Sequence, residues 1–227
     1  MFIQGSRLLA IPIKRSTRQV LGYLTRGEVE AILNAADIAM WIGRRDHLLF
    51  VLLYNTGARI SEALGLKPED VQNRVVRLHG KGRKERAVPI WSRTAAELQR
   101  WCRENQLQPG QHIFVNAEKA CITRHAARLR LKQAIRRATA QCPTLAGRKI
   151  GLHSFRHSCA MHLLQSGVAL EVIALWLGHE HPVTTHGYVE ADLKMKEESL
   201  RRLEELPPAR RPKRDPSSRL LAFLEAL

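Results

Sequence analysis

A helix that is apolar on nearly every side has no face to offer solvent, and the stretch Gly43 to Gly57, GRRDHLLFVLLYNTG, contains one. Its central run LLFVLLY, Leu48 to Tyr54, is far too short to cross a bilayer. It must therefore be buried, and other parts of the chain must cover it. Asn55-Thr56-Gly57 ends this helix, and ARISEALGL resumes as a short one ending at Gly65. There Arg59 and Glu62 stand one turn apart on a common side. Because Arg59 follows a buried helix directly, it is expected to point into a cleft from a rigid support.

The other segments supply that cover. Residues 1–22 are basic and weakly patterned, and read as an arm or linker. LTRGEVEAILNAAD opens a helix, with Thr25 as N-cap, Glu28 completing a capping box, and Val29, Ile32 and Leu33 on one face. From Asp70 to Ile90 the pattern becomes strand-like around a Gly-Lys-Gly-Arg-Lys turn. This predicts an antiparallel hairpin tipped by Lys81, Arg83, Lys84 and Arg86, with a third short strand near Val71. Gly80 and Gly82 would let the backbone approach a ligand closely.

Helices are predicted over about 92–106 and about 122–141, the second with a basic face of Arg124, Arg128, Arg130, Lys132, Arg136 and Arg137. GLHSFRHSCAMHLLQSG is a further helix with His153, Arg156 and His157 in its first turns, and EVIALWLG a short apolar one. A helix from about Ala191 to Leu206 follows, then the basic linker PPARRPKRDPSS and the amphipathic tail RLLAFLEAL. The expected class is mainly α with a small antiparallel β-sheet (α+β). It is divided into an arm (1–22), a main domain (23–206), and a linker with a terminal helix (207–227).

The charge balance points to a partner. With 37 Lys+Arg against 21 Asp+Glu the chain carries +16 and a pI near 10.6, a field that favours polyanions. Nucleic acid is the expected partner, and a general RNA-binding role is the least favoured, since aromatic residues are only 5% and no stacking platform is recognised. Cys102, Cys121, Cys142 and Cys159 are far apart, which argues for reduced thiols rather than a disulfide frame or zinc finger. No signal peptide or membrane segment is recognised, and a cytoplasmic, nucleoid-associated bacterial protein is expected.

One stretch carries chemistry. LGHEHPVTTHGYVEADL, Leu177 to Leu193, holds a Gly-His pair and a tyrosine nine residues after His179. A tyrosine hydroxyl, with an unperturbed pKa of about 10, is a poor nucleophile until cations converge on it and on the group it attacks. Tyr54 belongs to the buried helix and Tyr23 has no flanking motif, so Tyr188 is the candidate. His153 and His157 are four apart, and His179, His181 and His186 are close in sequence. No H-E-x-x-H or third ligand at a telling spacing accompanies them, so no metal or cofactor is expected.

Taken in order, TGARISE, GKGRKER, HSFRH, and LGH with a tyrosine nine residues on resemble the catalytic domain of the tyrosine recombinases, the phage-integrase family, from about Thr25 to Leu206. The resemblance implies that fold and a DNA strand transferase. Its catalytic set would be Arg59, Lys81, His153, Arg156, His179 and Tyr188, with Glu62 in a supporting role. Arg59 and Arg156 would hold the phosphate oxygens, with a further hydrogen bond from His179. Lys81 would protonate the departing 5′ oxygen, His153 would assist proton transfer, and Tyr188 would attack. Arg83, Lys84, Arg86, Arg124 and Arg128 are expected to bind DNA.

The family works as a multimer on paired sites and clamps DNA with a helical core-binding domain. The residues before Thr25 are too few to form that domain, so a separate partner for that half is one expectation. Gly187 also departs from the larger apolar residue common before the tyrosine. The expected function is site-specific recombination in integration or transposition of a mobile element. The alternative is a shortened or degenerate DNA-binding paralogue without complete recombination.

Overall fold

The computed structural model describes residues 23–80, 82, 85–178 and 196–203. Helix α1, Arg26–Asn34, starts with the expected reciprocal cap: Thr25 Oγ1 accepts from the Glu28 N–H, and Glu28 Oε2 from the Thr25 N–H. Glu28 also receives Thr144 and Arg148, which fastens the start of α1 to a distant loop.

Helix α2, Trp41–Thr56, is the buried helix, and it packs against α1 and the four helices that follow it. It buries more than its apolar centre. Arg45, Asp46 and His47 are also inside, although charge in the first turns of a helix usually marks a solvated end. Each is partnered. Arg45 donates to Asp46 Oδ1 and to the Val115 carbonyl, Arg130 donates to Asp46 Oδ2, and His47 Nδ1 meets the Leu33 carbonyl. Tyr54, read as core, is buried with its hydroxyl 2.7 Å from His162 Nδ1.

Gly57 caps α2 in the left-handed region at φ +60, where a side chain would be strained. Space is closed there too, since a Cβ would lie 2.5 Å from Leu177 Cδ2. The chain turns straight into α3, Ile60–Leu64. A 3-10 turn at Pro68–Asp70 leads to a three-stranded antiparallel sheet in the order β1-β2-β3. These are β1 (Val71–Gln72), the short third strand expected, and the hairpin β2 (Val75–His79) and β3 (Glu85–Pro89). Val76 faces Val88 and Leu78 faces Arg86 across the hairpin, and Val76, Leu78 and Val88 are fully buried.

Helix α4, Ser92–Glu104, buries Ala95, Leu98 and Trp101. Helix α5, Arg124–Ala138, is shorter at both ends than expected, because Thr123 is its N-cap and accepts from the Ala126 N–H. It packs through the narrow stripe Ala127, Leu131, Ala134 and Ala138. Of its basic residues, Arg130 turns to Asp46, whereas Arg124, Arg128, Lys132, Arg136 and Arg137 are exposed.

Helices α6, Leu152–Gln165, and α7, Leu170–Leu177, complete the cover, with α6 laid along α2. The expected helix near 191–206 is present over residues 196–202 and gives way to a bend at Leu203, while 191–195 and 204–206 lie outside the described residues. Lys196 is buried there with Nζ 3.1 Å from the Ala87 carbonyl, and Leu200 and Leu203 enter the core. No helix among the described residues is long and apolar enough to cross a membrane. The mainly α architecture with one small antiparallel sheet is the class expected from sequence.

Candidate active site

The end of α2 organises the site. Two residues past Gly57, Arg59 occupies the N-cap position of α3, and Glu62 is the third residue of that helix. Glu62 receives Arg59 twice: the backbone N–H at 2.8 Å on Oε2, and Nη1 at 2.9 Å on Oε1. The Arg59 side chain is 48% exposed, and its Nε and Nη2 have no partner among the described residues. It is thus held at one edge and open at the other, as expected of a cation in a cleft.

Arg156, one turn into α6, is buried. Its Nη1 donates to the Gly57 carbonyl at 2.7 Å and its Nη2 to the Leu177 carbonyl at 2.8 Å. It thereby ties the ends of α2 and α7 together, and the second acceptor lies in the last turn of α7, where helix carbonyls carry partial negative charge. Burial, with the positive charges of Arg59 and Arg86, pulls the guanidinium pKa down to about 10, still protonated at neutral pH.

His153, three residues earlier on α6, is exposed. Partial burial and the charges of Arg156, His157 and Arg59 lower its pKa below the ordinary histidine value, which favours the neutral imidazole. His157 is exposed beside it and caps nothing among the described residues.

Arg86, on β3, is the described basic side chain of the hairpin turn region. Expected as a DNA contact, it points inward, with a side chain only 10% exposed. Nη1 and Nη2 grip Glu62 Oε1 and Oε2 at 3.0 and 2.8 Å, and Nε donates to the Trp176 carbonyl at 3.1 Å. A signal for this existed in the sequence. Alternation in a strand puts Arg86 on the face of Val88, two residues on, and Val88 is core. Burial alone would raise the Glu62 pKa, but hydrogen bonds from Arg86 and from the Arg59 backbone and side chain bring it to about 2.

Among the described residues, the site therefore sets three guanidinium groups, Arg59, Arg86 and Arg156, against the single carboxylate of Glu62. Such an excess of positive charge in a partly buried pocket suits an anion with several oxygens. Arg59, Glu62, His153 and Arg156 are brought together as the sequence predicts, and Arg86 joins them. Lys81, His179 and Tyr188, and with them Arg83 and Lys84, lie outside the described residues. Arg124 and Arg128 are exposed on α5, away from this charge cluster in sequence and on a separate element. Among the described residues, no three His, Cys, Asp or Glu side chains converge as metal ligands would.

Comparison with known proteins gives the same direction. The phage integrase family model matches residues 22–195. The putative integrase/recombinase y4rC of Sinorhizobium fredii is 42% identical over 228 residues, covering 99% of this chain and 68% of that protein. The tyrosine recombinase XerD of Corynebacterium glutamicum is 36% identical over 174 residues, 73% of this chain and 55% of the relative. Among solved structures, the XerH site-specific recombinase bound to palindromic difH substrate, in a post-cleavage complex, superposes with a TM-score of 0.62 at 27% identity. That match covers 82% of this chain and 54% of XerH. The chain thus spans two thirds of y4rC and a little over half of XerD and XerH. With the family model covering most of its length and a relative 42% identical across nearly all of it, the chain belongs to the phage integrase family, the tyrosine recombinases, which are DNA strand-transferring enzymes.

Proposed function

We propose that this protein is a site-specific recombinase that cuts and rejoins double-stranded DNA through a covalent 3′-phosphotyrosyl intermediate, in the integration or transposition of a mobile element. The observation that carries this reading is the pairing of Arg59 and Arg156 across Gly57, with His153 in the same field of charge. Attack on a phosphodiester concentrates negative charge on the non-bridging oxygens, and catalysis is then mostly positioning and electrostatic stabilisation.

In this reading the Tyr188 oxygen attacks phosphorus and forms the new P–O bond as the bond to the 5′ oxygen breaks. Arg59 and Arg156 hold the non-bridging oxygens, and His179 adds a hydrogen bond. Lys81 gives a proton to the departing 5′ oxygen. His153, inclined to the neutral form near pH 7, takes part in moving the tyrosine proton. One phosphoester replaces another, so rejoining needs no nucleotide hydrolysis. Glu62 supports Arg59 from behind.

Exposed Arg124 and Arg128, with Arg83 and Lys84 of the hairpin, meet the DNA backbone and position the duplex without reading its sequence. The domain of strand transfer is 23–206, flanked by the arm 1–22 and by the linker and terminal segment 207–227, and it acts in a multimer on paired sites. XerH, which shares the fold at 27% identity, is held on its DNA substrate in the matched complex, which supports DNA as the ligand here.

The test is covalent trapping on a nicked suicide substrate without added metal, using the element's own ends or a random pool. A detergent-stable adduct formed by wild type and absent from Tyr188→Phe supports the reading. DNA binding without any adduct, even with a core-binding domain supplied separately, favours a DNA-binding paralogue.

A further inference from the structure

The strand-transfer reading leaves one buried cation without a task. Arg86 lies on the inward face of the hairpin, and its three donor nitrogens are each engaged inside the protein. Its partners belong to two separate parts of the site. One is Glu62, the carboxylate behind Arg59. The other is the carbonyl of Trp176, in the last turn of α7, from which the chain runs on to His179.

We propose that Arg86 is a positioning residue for strand transfer: it saturates Glu62, so that Arg59 keeps its outward donors for the phosphate, and it fixes the end of α7. This rests on the reading of the site given above. The geometry supports it in three ways.

First, each oxygen of Glu62 takes one donor from Arg59 and one from Arg86. Without Arg86, half the donors to a carboxylate that is 3% exposed are lost. A buried carboxylate does not tolerate that, and the nearest replacement is a second N–H of the Arg59 guanidinium. Arg59 would then turn inward, away from the position where a phosphate is bound.

Second, a guanidinium fork meets a carboxylate with two parallel N–H groups and still has Nε for the helix end. A lysine ammonium cannot match that planar arrangement. Third, Gly178, with φ +67, closes over the same side chain. A Cβ there would lie 3.0 Å from Arg86 Cδ and 3.1 Å from Nη1, so helix end and arginine are fitted to each other.

The test compares the full-length chain with Arg86→Met and Arg86→Lys, using Arg128→Ala as a DNA-contact control. The rate of adduct formation at saturating DNA should fall by about 100-fold in Arg86→Met, the scale of losing one oriented transition-state donor. Arg86→Lys should recover no more than about a tenth of the wild-type rate. The slope of log affinity against log salt should be unchanged in both, whereas Arg128→Ala should reduce it by about one. Amide exchange at residues 176–178 should accelerate in Arg86→Met while α5 exchanges as in wild type.

A slope reduced by about one in Arg86→Met, with the saturated rate intact, would make Arg86 a DNA contact and overturn the proposal. If wild type itself forms no adduct, the strand-transfer reading fails separately, and exchange and salt slope still decide the role of Arg86. Faster exchange at the end of α7 then retains the strut, and unchanged exchange removes it. Should Arg86→Met not fold, Arg86→Lys keeps the charge and answers through the same three measurements.

Discussion

Arg156 and Gly57, 99 residues apart in the chain, are joined by a 2.7 Å hydrogen bond from Nη1 to the carbonyl oxygen. The helix that carries His153 is therefore registered against the end of the buried helix and, two residues later, against Arg59. One contact sets the spacing of three side chains, and it makes structural and chemical roles separable by mutation.

Arg156→Ala removes a buried side chain and leaves the Gly57 and Leu177 carbonyls without their donor. The expected cost is about 2–4 kcal/mol of stability, with loss of strand cleavage. Arg59→Ala touches a half-exposed side chain, so stability should change by less than about 1 kcal/mol while cleavage falls roughly 100- to 1,000-fold. Urea unfolding run beside single-turnover cleavage separates the two. Wild-type cleavage by the Arg59 variant would show that the phosphate clamp is misplaced.

Tyr188→Phe deletes one hydroxyl and no charge. Adducts should vanish while DNA affinity stays within about threefold, since affinity comes mainly from phosphate contacts. Gel analysis of trapped complexes and a binding isotherm check the two halves. Adducts persisting in this variant would move the nucleophile elsewhere.

His79, the last residue of β2 before the hairpin turn, has Asp70 2.8 Å from Nε2 and Glu85 2.9 Å from Nδ1. Only the imidazolium donates through both nitrogens at once. The hydrogen bond and charge of Asp70, and those of Glu85, raise its pKa above the ordinary value. Its contribution is thus full below the unfolded pKa of about 6.5 and is lost as pH rises through the higher folded value. With the ring half-exposed, the effect should be under about 1 kcal/mol. Thermal unfolding should favour wild type over His79→Gln at pH 5.5 and show no difference at pH 9. An advantage that grows with pH would refute the assignment.

Glu62 has the opposite sign. Its folded pKa of about 2 lies below the ordinary value of 4.5 for a free glutamate. The charged form therefore stabilises fully above the unfolded value, and that stabilisation is lost as pH falls from about 4.5 through about 2. The stability gap between wild type and Glu62→Gln should be level at neutral pH and narrow across that acid range. A gap unchanged down to pH 2 would mean that the carboxylate is not held by its arginines.

Asp46 sits between Arg45 and Arg130 in the interior. Asp46→Ala leaves the buried Arg45 without its carboxylate and should cost about 3–5 kcal/mol in chemical denaturation. Cleavage per folded molecule should be unchanged, since this pair lies on α2 and α5 away from the arginine cluster. A loss below 1 kcal/mol would show that water replaces the carboxylate readily.

What was legible in the sequence was local. The Thr25–Glu28 cap, the stop at Gly57, the hairpin and the burial of Tyr54 each depend on residues a few positions apart, and each is found. The partners of charged residues that turn inward were not legible, because they are distant in sequence. Asp46 meets Arg130 across 84 positions, and Arg86 meets the Trp176 carbonyl across 90. Lys196 reads as a solvated helix charge, yet its stem is buried and its ammonium reaches the Ala87 carbonyl. Arg59, Glu62, His153 and Arg156 were singled out by motif order, and the structure gathers these four side chains near the end of α2.

The attachment of Lys196 to β3 has a consequence for reach. On one side Leu177 is fastened by Arg156, and on the other Lys196 is fastened to Ala87. Tyr188 belongs to the chain between these two moorings, eight residues before the second. Covalent geometry then allows it to travel roughly 28 Å from Lys196 at full extension. With Tyr188 as the proposed nucleophile, any bond it attacks falls within that span plus the length of its own side chain, whichever subunit has bound the DNA, so the tether sets an outer limit on the architecture of an active assembly.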